Sequence, residues 1–502
     1  MNYNDWLTKR ERYTPLKEAV IDTQSGTRYT YQQLNEKANR LAGYLQRQHQ
    51  LKASDRLAVV SKNSVEYMIL FFACAKLGVV LVPLNYRMPM QTLVELITDC
   101  KPQLLIYSQE FNQIAREAAL PSNLSIDGGS SSLAEVIDSW VEMPEIYEAT
   151  ADDIAMILYT SGTTGRSKGA MISWRQIHWN SMNTAISLGL TGDDCSFVNT
   201  PFYHTGGWHV LLTPLIHRGG KLVFQPDFDA RECNRLIEEE SITILFGIPT
   251  MLRMMMEQPN FDDADFSSLR FAICGGESCP IPVIKKYQKK NVPIRQGYGL
   301  TEAGPNCYSL PAEDAIRKKG SVGFPNFHIG VKIVDDENKE VEQGEVGELL
   351  MKGPHVFAGY LENPEATDQA ISDGWVHTGD LFRCDADGYY YMVGRKKEMY
   401  ISGGENVYPV QVEKIIYQHP AVAQVAVIGV PDEKWGETGC AFVVTKKEKS
   451  IARDELKAYC REHLAGYQCP EYVIFKDELP VGDSNKIQKR DLKQEFENRN
   501  HD

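Results

Sequence analysis

The sequence contains no C-x-x-C pair. Its eleven cysteines are scattered, and the closest two, Cys274 and Cys279, do not have the spacing of a zinc ribbon or a thioredoxin-like site. Dispersed single cysteines fit a reducing compartment, where they act as small buried residues. Positive charge is also scarce. The 53 Lys and Arg are outnumbered by 67 Asp and Glu, for a net charge of −14, and such a chain repels phosphate backbones, so no nucleic-acid partner is expected. Met1 to Arg12 has no apolar signal core, and no apolar run is uninterrupted long enough to span a membrane. The nearest approach, Met68 to Leu84, is broken by Lys76, Gly78 and Pro83. It reads as a buried helix followed by the buried strand Val79 to Val82. A cytoplasmic protein with no integral membrane association is expected. Internal repeats and coiled-coil heptads are missing too.

What is present is a long globular chain. Its 502 residues, 43% hydrophobic and 24% charged, suffice for about three compact units. Tyr31 to Gln46 has apolar residues at helical spacing, and Arg56 to Val60, Leu104 to Tyr107 and Ile154 to Tyr159 are short apolar strands. This alternation predicts an α/β fold with a mainly parallel sheet. Pro121 to Asp153, with its Gly/Ser run and many acids, reads as a surface excursion. Residues 320 to 393 hold short β-like runs (Val331 to Val334, Gly347 to Met351, Tyr389 to Val393) and suggest a small β-barrel or antiparallel sheet. After Gly394 the pattern changes to α+β: a helix with Pro at its start over Pro409 to Gln418, strands over Val422 to Val430 and Ala441 to Thr445, and a helix over Asp454 to Leu464.

The segment Thr160-Ser161-Gly162-Thr163-Thr164-Gly165-Arg166-Ser167-Lys168 follows the apolar strand that ends at Tyr159. Its glycines permit close backbone approach, its hydroxyls and amides can form a nest for phosphate oxygens, and Lys168 and Arg166 add charge. It is not a Walker A loop, because Ser167 rather than glycine precedes the lysine. The segment resembles the phosphate loop of the adenylate-forming enzymes, a superfamily of acyl-CoA synthetases, nonribosomal adenylation domains and beetle luciferases. Further motifs follow in the family's order, so the resemblance covers nearly the whole chain. They are Pro201-Phe202-Tyr203-His204-Thr205-Gly206-Gly207, Gly275-Gly276-Glu277, Gln296-Gly297-Tyr298-Gly299-Leu300-Thr301-Glu302, Trp375-Val376-His377-Thr378-Gly379-Asp380, Gly394-Arg395-Lys396-Lys397-Glu398 with Ser402-Gly403-Gly404-Glu405-Asn406, and the loop Leu479 to Ile487 that carries Lys486. Alone, several of these would be a strand-ending turn, a solvated acid or a charged linker.

The resemblance implies a role for each. Thr160 to Gly165 and Lys168 would grip the triphosphate, and Gly275, Gly276, Glu277, Gln296, Gly297 and Tyr298 would receive the adenine. Asp380 would take the ribose hydroxyls, with Arg395 beside it. Thr301 would bond phosphate or the acid carboxylate, and Glu302 would hold Mg²⁺, a hard cation suited to carboxylate and phosphate oxygen. His204 and Trp208 would border the acid pocket, together with residues near His209 and Phe246 to Met251. Lys397 would be the hinge, Gly403 and Gly404 would meet the pantetheine arm of CoA, and Lys486 would be the catalytic lysine. The chain departs from the family at Asn485, where relatives usually have glycine, and at Gln468, where many have lysine.

The implied architecture is a large domain, 1–396, of two layered α/β subdomains plus a small β-barrel, and a small mobile α+β domain, 397–502. The implied reaction consumes ATP, with Mg²⁺, to make an acyl-adenylate and then an acyl-CoA, most like a bacterial-type ligase of fatty or aromatic acids. A fatty acid is the expected substrate. The alternatives are an aromatic acid of succinylbenzoate or cinnamate type, loading of a carrier-protein thiol, a luciferase-like oxygenase, or a non-catalytic adenylate-binding protein. A homodimer is allowed, with nothing in the sequence that requires one.

Overall fold

The computed structural model describes residues 3–128, 132–160, 167–447, 449–481 and 487–499. The chain forms two compact units, 1–331 with 350–377, and 332–349 with 378–502.

In the first unit a six-stranded sheet runs in the order Asn123–Ser125, Leu104–Tyr107, Arg56–Val60, Val80–Pro83, Ile154–Thr160, Lys168–Ser173. All neighbours are parallel except the last pair, a hairpin in which Thr160 faces Lys168. The apolar run that mimicked a membrane span is indeed helix then strand. The Ser64 hydroxyl caps the helix Val65–Leu77, left-handed Gly78 ends it, and every residue of Val80–Pro83 is buried. Lys76 in that helix is buried, with its ammonium 2.7 Å from the Asp5 carboxylate, so the interrupting charge is neutralised inside. No helix among the described residues is long and apolar enough to cross a membrane.

A nine-stranded sheet carries the parallel strands Cys195–Val198, Ile244–Gly247, Phe271–Cys274 and Ile294–Leu300, followed by antiparallel Gly304–Ser309. The stretch from Pro121 to Asp153 differs from expectation. Asn123–Ser125 extends the six-stranded sheet, and helix Leu133–Ser139 buries Leu133, Val136 and Ile137 in the main core. Three strand residues with one apolar side chain leave no alternation to read.

The second unit contains the hairpin Asp380–Cys384 with Tyr390–Arg395 and a five-stranded sheet. In that sheet Gly436–Thr445 lies between Val422–Asp432 and Tyr472–Phe475. One sheet face packs Val425, Val427 and Ala441 against helices Pro409–Ile416 and Arg453–His463. The other packs Ala426, Ile428 and Phe442 against Leu492 and Phe496 of helix Lys489–Arg499. Both faces are covered, which is why Val422 to Val430 reads as a continuous apolar run. The expected division at Lys397 falls inside this unit. Strand pairing of Asp380 with Arg395, and the Lys396 ammonium 2.9 Å from Asp336 and 3.3 Å from Glu348, tie together residues that all precede Lys397. All eleven cysteines are free, and nine are buried.

Candidate active site

The parallel pairing of three strands of the first unit ends side by side at Gly247, Cys274 and Gln296. Ligands of open α/β sheets bind beyond such carboxyl ends. Gly275 and Gly276 follow directly, the latter at φ 81°, and Glu277 is exposed. The buried Gln296 side chain accepts the Cys279 amide at 3.1 Å, tying down the turn after Cys274. Gly297 and Tyr298 enter a hairpin, and the half-buried Tyr298 ring meets Tyr308 edge-on at 5.8 Å. A Cβ on Gly299 would come within 2.3 Å of the Pro305 carbonyl, so only glycine permits this turn, whose tip is Thr301–Ala303.

Glu302 sits at that tip. Its Oε1 accepts the Tyr360 hydroxyl at 2.8 Å and the Thr160 hydroxyl at 3.4 Å. Its carbonyl accepts the Phe357 amide at 2.8 Å, and the Thr301 carbonyl accepts Gln176 Nε2 at 2.9 Å. The Lys168 ammonium lies 5.2 Å over the Tyr360 ring. Thr160, Lys168, Thr301 and Glu302, which are distant in sequence, therefore converge. Ser161, Gly162, Thr163, Thr164 and Gly165 lie outside the described residues. Tyr360 and Gln176 were not identified from sequence; Tyr360 lies in a glycine-rich stretch read only for its β-like pattern. Burial, helped by Glu302, pushes the Tyr360 hydroxyl up in pKa, so it stays a donor. Among the described residues no cluster of three or more His, Cys, Asp or Glu could hold a metal. A single carboxylate with Oε1 engaged and, among the described residues, Oε2 left over fits Mg²⁺ held largely by substrate phosphates.

His204 is half-buried at the start of the short helix Thr205–His209, with its ring 4.5 Å from that of Tyr203. Phe246, partly exposed, lies between two glycines: Cβ atoms on Gly206 and Gly275 would come 3.8 and 3.3 Å from its ring. Trp208 departs from expectation. It has 0% exposure, donates its indole N–H to the Phe202 carbonyl at 2.5 Å and stacks on Phe202 at 3.9 Å. It is a core residue beneath the site rather than a pocket surface. His209 is likewise buried, and its imidazole is pushed down to about 3 by that burial.

In the second unit Asp380 is buried, with Arg395 Nε 2.9 Å from its Oδ1. Lys397 is exposed in the single turn Lys396–Glu398. Gly403 and Gly404, at φ 61° and 87°, form the two-residue turn joining Tyr400–Ser402 to Glu405–Val407. Positive φ at both positions makes this the hairpin turn that favours glycine. A Cβ on Gly403 would press to 2.7 Å on Trp435, whereas Gly404 faces open space. Lys486 lies outside the described residues. Val481 and Ile487, which flank its loop, pair as an antiparallel bridge.

Residues 7–361 match the model of the AMP-binding enzyme family, and residues 411–486 match that of the AMP-binding enzyme C-terminal domain. A feruloyl-CoA synthase of Amycolatopsis is 36% identical, over 98% of both chains. The long-chain-fatty-acid–CoA ligase FadD13 of Mycobacterium tuberculosis is 35% identical, over 98% of this chain and 97% of its own. Among solved structures, the o-succinylbenzoate CoA synthetase of Bacillus subtilis with ATP and magnesium ion superposes with a TM-score of 0.89, at 30% identity, covering 97% of this chain and 99% of that one. With a family model spanning most of its length and CoA ligases matched end to end, the chain belongs to the AMP-binding enzyme family and is an ATP-dependent, AMP-forming acyl-CoA synthetase that uses ATP, Mg²⁺ and CoA.

Proposed function

We propose that the enzyme activates a fatty acid, and that the residues gathered above divide the two half-reactions between them. In the first, a carboxylate oxygen bonds to the α-phosphorus of ATP and the bond to pyrophosphate breaks. Both partners are anions, so the barrier is largely repulsion. Lys168, the hydroxyls of residues 160–164 and Lys486 neutralise charge as it builds. A lysine about 4 Å from a phosphate oxygen, at an effective dielectric near 20, contributes roughly 4 kcal/mol. Glu302 would hold Mg²⁺, which would supply positive charge at the phosphate oxygens. Tyr298 stacks on the adenine, which Gly275, Gly276, Glu277, Gln296 and Gly297 line. Asp380 accepts the ribose hydroxyls beside Arg395, Thr301 orients the carboxylate, and His204 borders the acid.

In the second half-reaction the CoA sulfur bonds to the acyl carbon and AMP leaves. The small domain, divided from the large one at Lys397, turns about that residue, withdraws Lys486 and presents Gly403 and Gly404 to the pantetheine arm. The observation carrying this reading is the convergence of Thr160, Lys168, Glu302 and Tyr360, with the Tyr360 hydroxyl 2.8 Å from Glu302. The test is Lys486→Ala, which should lower pyrophosphate release by about 10²–10³-fold. It should leave thioester formation from supplied acyl-adenylate and CoA intact; equal loss of both steps would refute the division.

The fatty acid rests on the hydrocarbon character of the pocket wall: the Phe246 ring, with Thr200 Cγ2 near Gly206 and Ile248 Cγ2 near Gly276. FadD13 adds support as a relative named for long-chain acids. A second reading, an aromatic acid, is favoured by the flat Phe246 ring held between two glycines and by the feruloyl-CoA synthase relative. Pyrophosphate release measured over short, medium and long fatty acids and over cinnamate-type and succinylbenzoate-type acids decides between them. The uniformly free, mostly buried cysteines support a cytoplasmic setting.

A further inference from the structure

The second unit contains a charge cluster to which neither half-reaction assigns a part. Lys489 opens the helix Lys489–Arg499. Its ammonium lies 2.9 Å from Glu398 Oε2 and 2.8 Å from Glu413 Oε1, with 20% of its side-chain surface exposed. Glu413 belongs to the helix Pro409–Ile416, and its Oε1 also accepts the Val427 amide at 2.8 Å from the sheet. Burial lowers the Lys489 pKa, but the two carboxylates more than offset it, so the ammonium is held in its charged form.

Largely buried ion clusters are poor devices for stability, since apolar groups of similar volume often do as well or better. What such a cluster does impose is the relative position of the segments that carry its charges, and here those segments are informative. Glu398 is the residue after Lys397. Lys489 is three residues after Lys486, on the outgoing side of its loop. That loop is closed at its base by the Val481–Ile487 bridge and by the Gln488 amide, which donates to the Pro480 carbonyl at 2.8 Å. Lys489 therefore ties the stem of the Lys486 loop to the first residue beyond Lys397, and Glu413 anchors both to the sheet.

We propose that Lys489 is a positioning residue for adenylation: an ion-paired strut that transmits rotation at Lys397 to the stem of the Lys486 loop. The proposal rests on the roles given above to Lys397 and Lys486. A flexible joint there would let the loop lag behind the turn, and Lys486 would reach the reacting phosphate in only a fraction of encounters. The loss would fall on the rate of the chemical step and not on binding of ATP.

The test uses full-length enzyme carrying Lys489→Met, Lys489→Arg, Glu398→Gln or Lys489→Met with Glu398→Gln. Pyrophosphate release is measured against ATP and acid concentration, alongside thermal melting. Lys489→Met should lose about tenfold or more in kcat with KM for ATP held within about twofold, and Lys489→Arg should recover to within about threefold of wild type. Glu398→Gln should show the same kcat-selective loss, and the double variant should be no slower than Lys489→Met alone, because both remove one contact. Should Lys489→Met fail to fold, Glu398→Gln carries the same kcat-against-KM test. Wild-type kcat in Glu398→Gln, or a fall in kcat and melting temperature together that arginine does not reverse, overturns the proposal. Lys486→Ala is run in parallel: if it releases pyrophosphate at the wild-type rate, the role given to Lys486 fails first, independently of the Lys489 results.

Discussion

At the scale of single residues, Glu302 shows how much a side chain owes to a neighbour that its own motif does not contain. The motif around Tyr298 to Glu302 was legible because its glycines and acid come in a fixed order, and Gly299 has a visible reason in the Pro305 carbonyl that leaves no room for a Cβ. Tyr360 was not legible. It lies 58 residues further on, and only the fold brings its hydroxyl to Glu302 Oε1. Tyr360→Phe removes that donor and keeps the ring under the Lys168 ammonium. We expect pyrophosphate release to fall by about tenfold, with the magnesium requirement shifted to higher concentration, measured by titrating Mg²⁺ at saturating ATP. Trp208 illustrates the opposite error. Its place beside His204 in sequence suggested a pocket wall, but aromatic residues at such positions also fill cores, and exposure is not written in a motif.

At the scale of elements, most helices and strands were readable from period and punctuation. Arg56–Val60 and Leu104–Tyr107 match expectation residue for residue, because a short apolar run flanked by polar residues has few other uses in an α/β chain. The strand Asn123–Ser125 was unreadable because parallel pairing to Leu104–Tyr107 makes it a strand, and its own pattern does not. The turn at Gly403 and Gly404 was expected to serve CoA. The structure adds a local reason for each glycine, since both have positive φ but only Gly403 abuts Trp435. Alanine at either position incurs about 1–2 kcal/mol of left-handed strain. Gly403→Ala must also displace the Trp435 ring, so its melting temperature should fall further than that of Gly404→Ala. Gly404→Ala should retain adenylation while slowing thioester formation, which separate assays of the two half-reactions would resolve.

At the scale of the whole molecule, the first unit carries an acid-sensitive load. Burial pushes His209 down to about 3, and His217 and His355 down to about 4, each held neutral in the folded protein. In the unfolded chain they titrate near about 6.5. Below that pH the unfolded state binds protons that the folded state refuses, so stability is full above it and falls as pH drops toward the folded values. Each histidine contributes up to about 1.4 kcal/mol per pH unit across that window. Urea midpoints should therefore fall between pH 7 and pH 5, and His209→Gln should flatten the dependence. The same unit fixes the parity of the strand that carries Lys168. Thr160 and Lys168 are paired across an antiparallel ladder, so side chains on each strand alternate between the two faces of the sheet. The segment between these two strands could lengthen in a descendant of this gene without moving the lysine. One residue inserted on the Lys168 side of the ladder, in contrast, would send that ammonium to the opposite face, away from the Tyr360 ring.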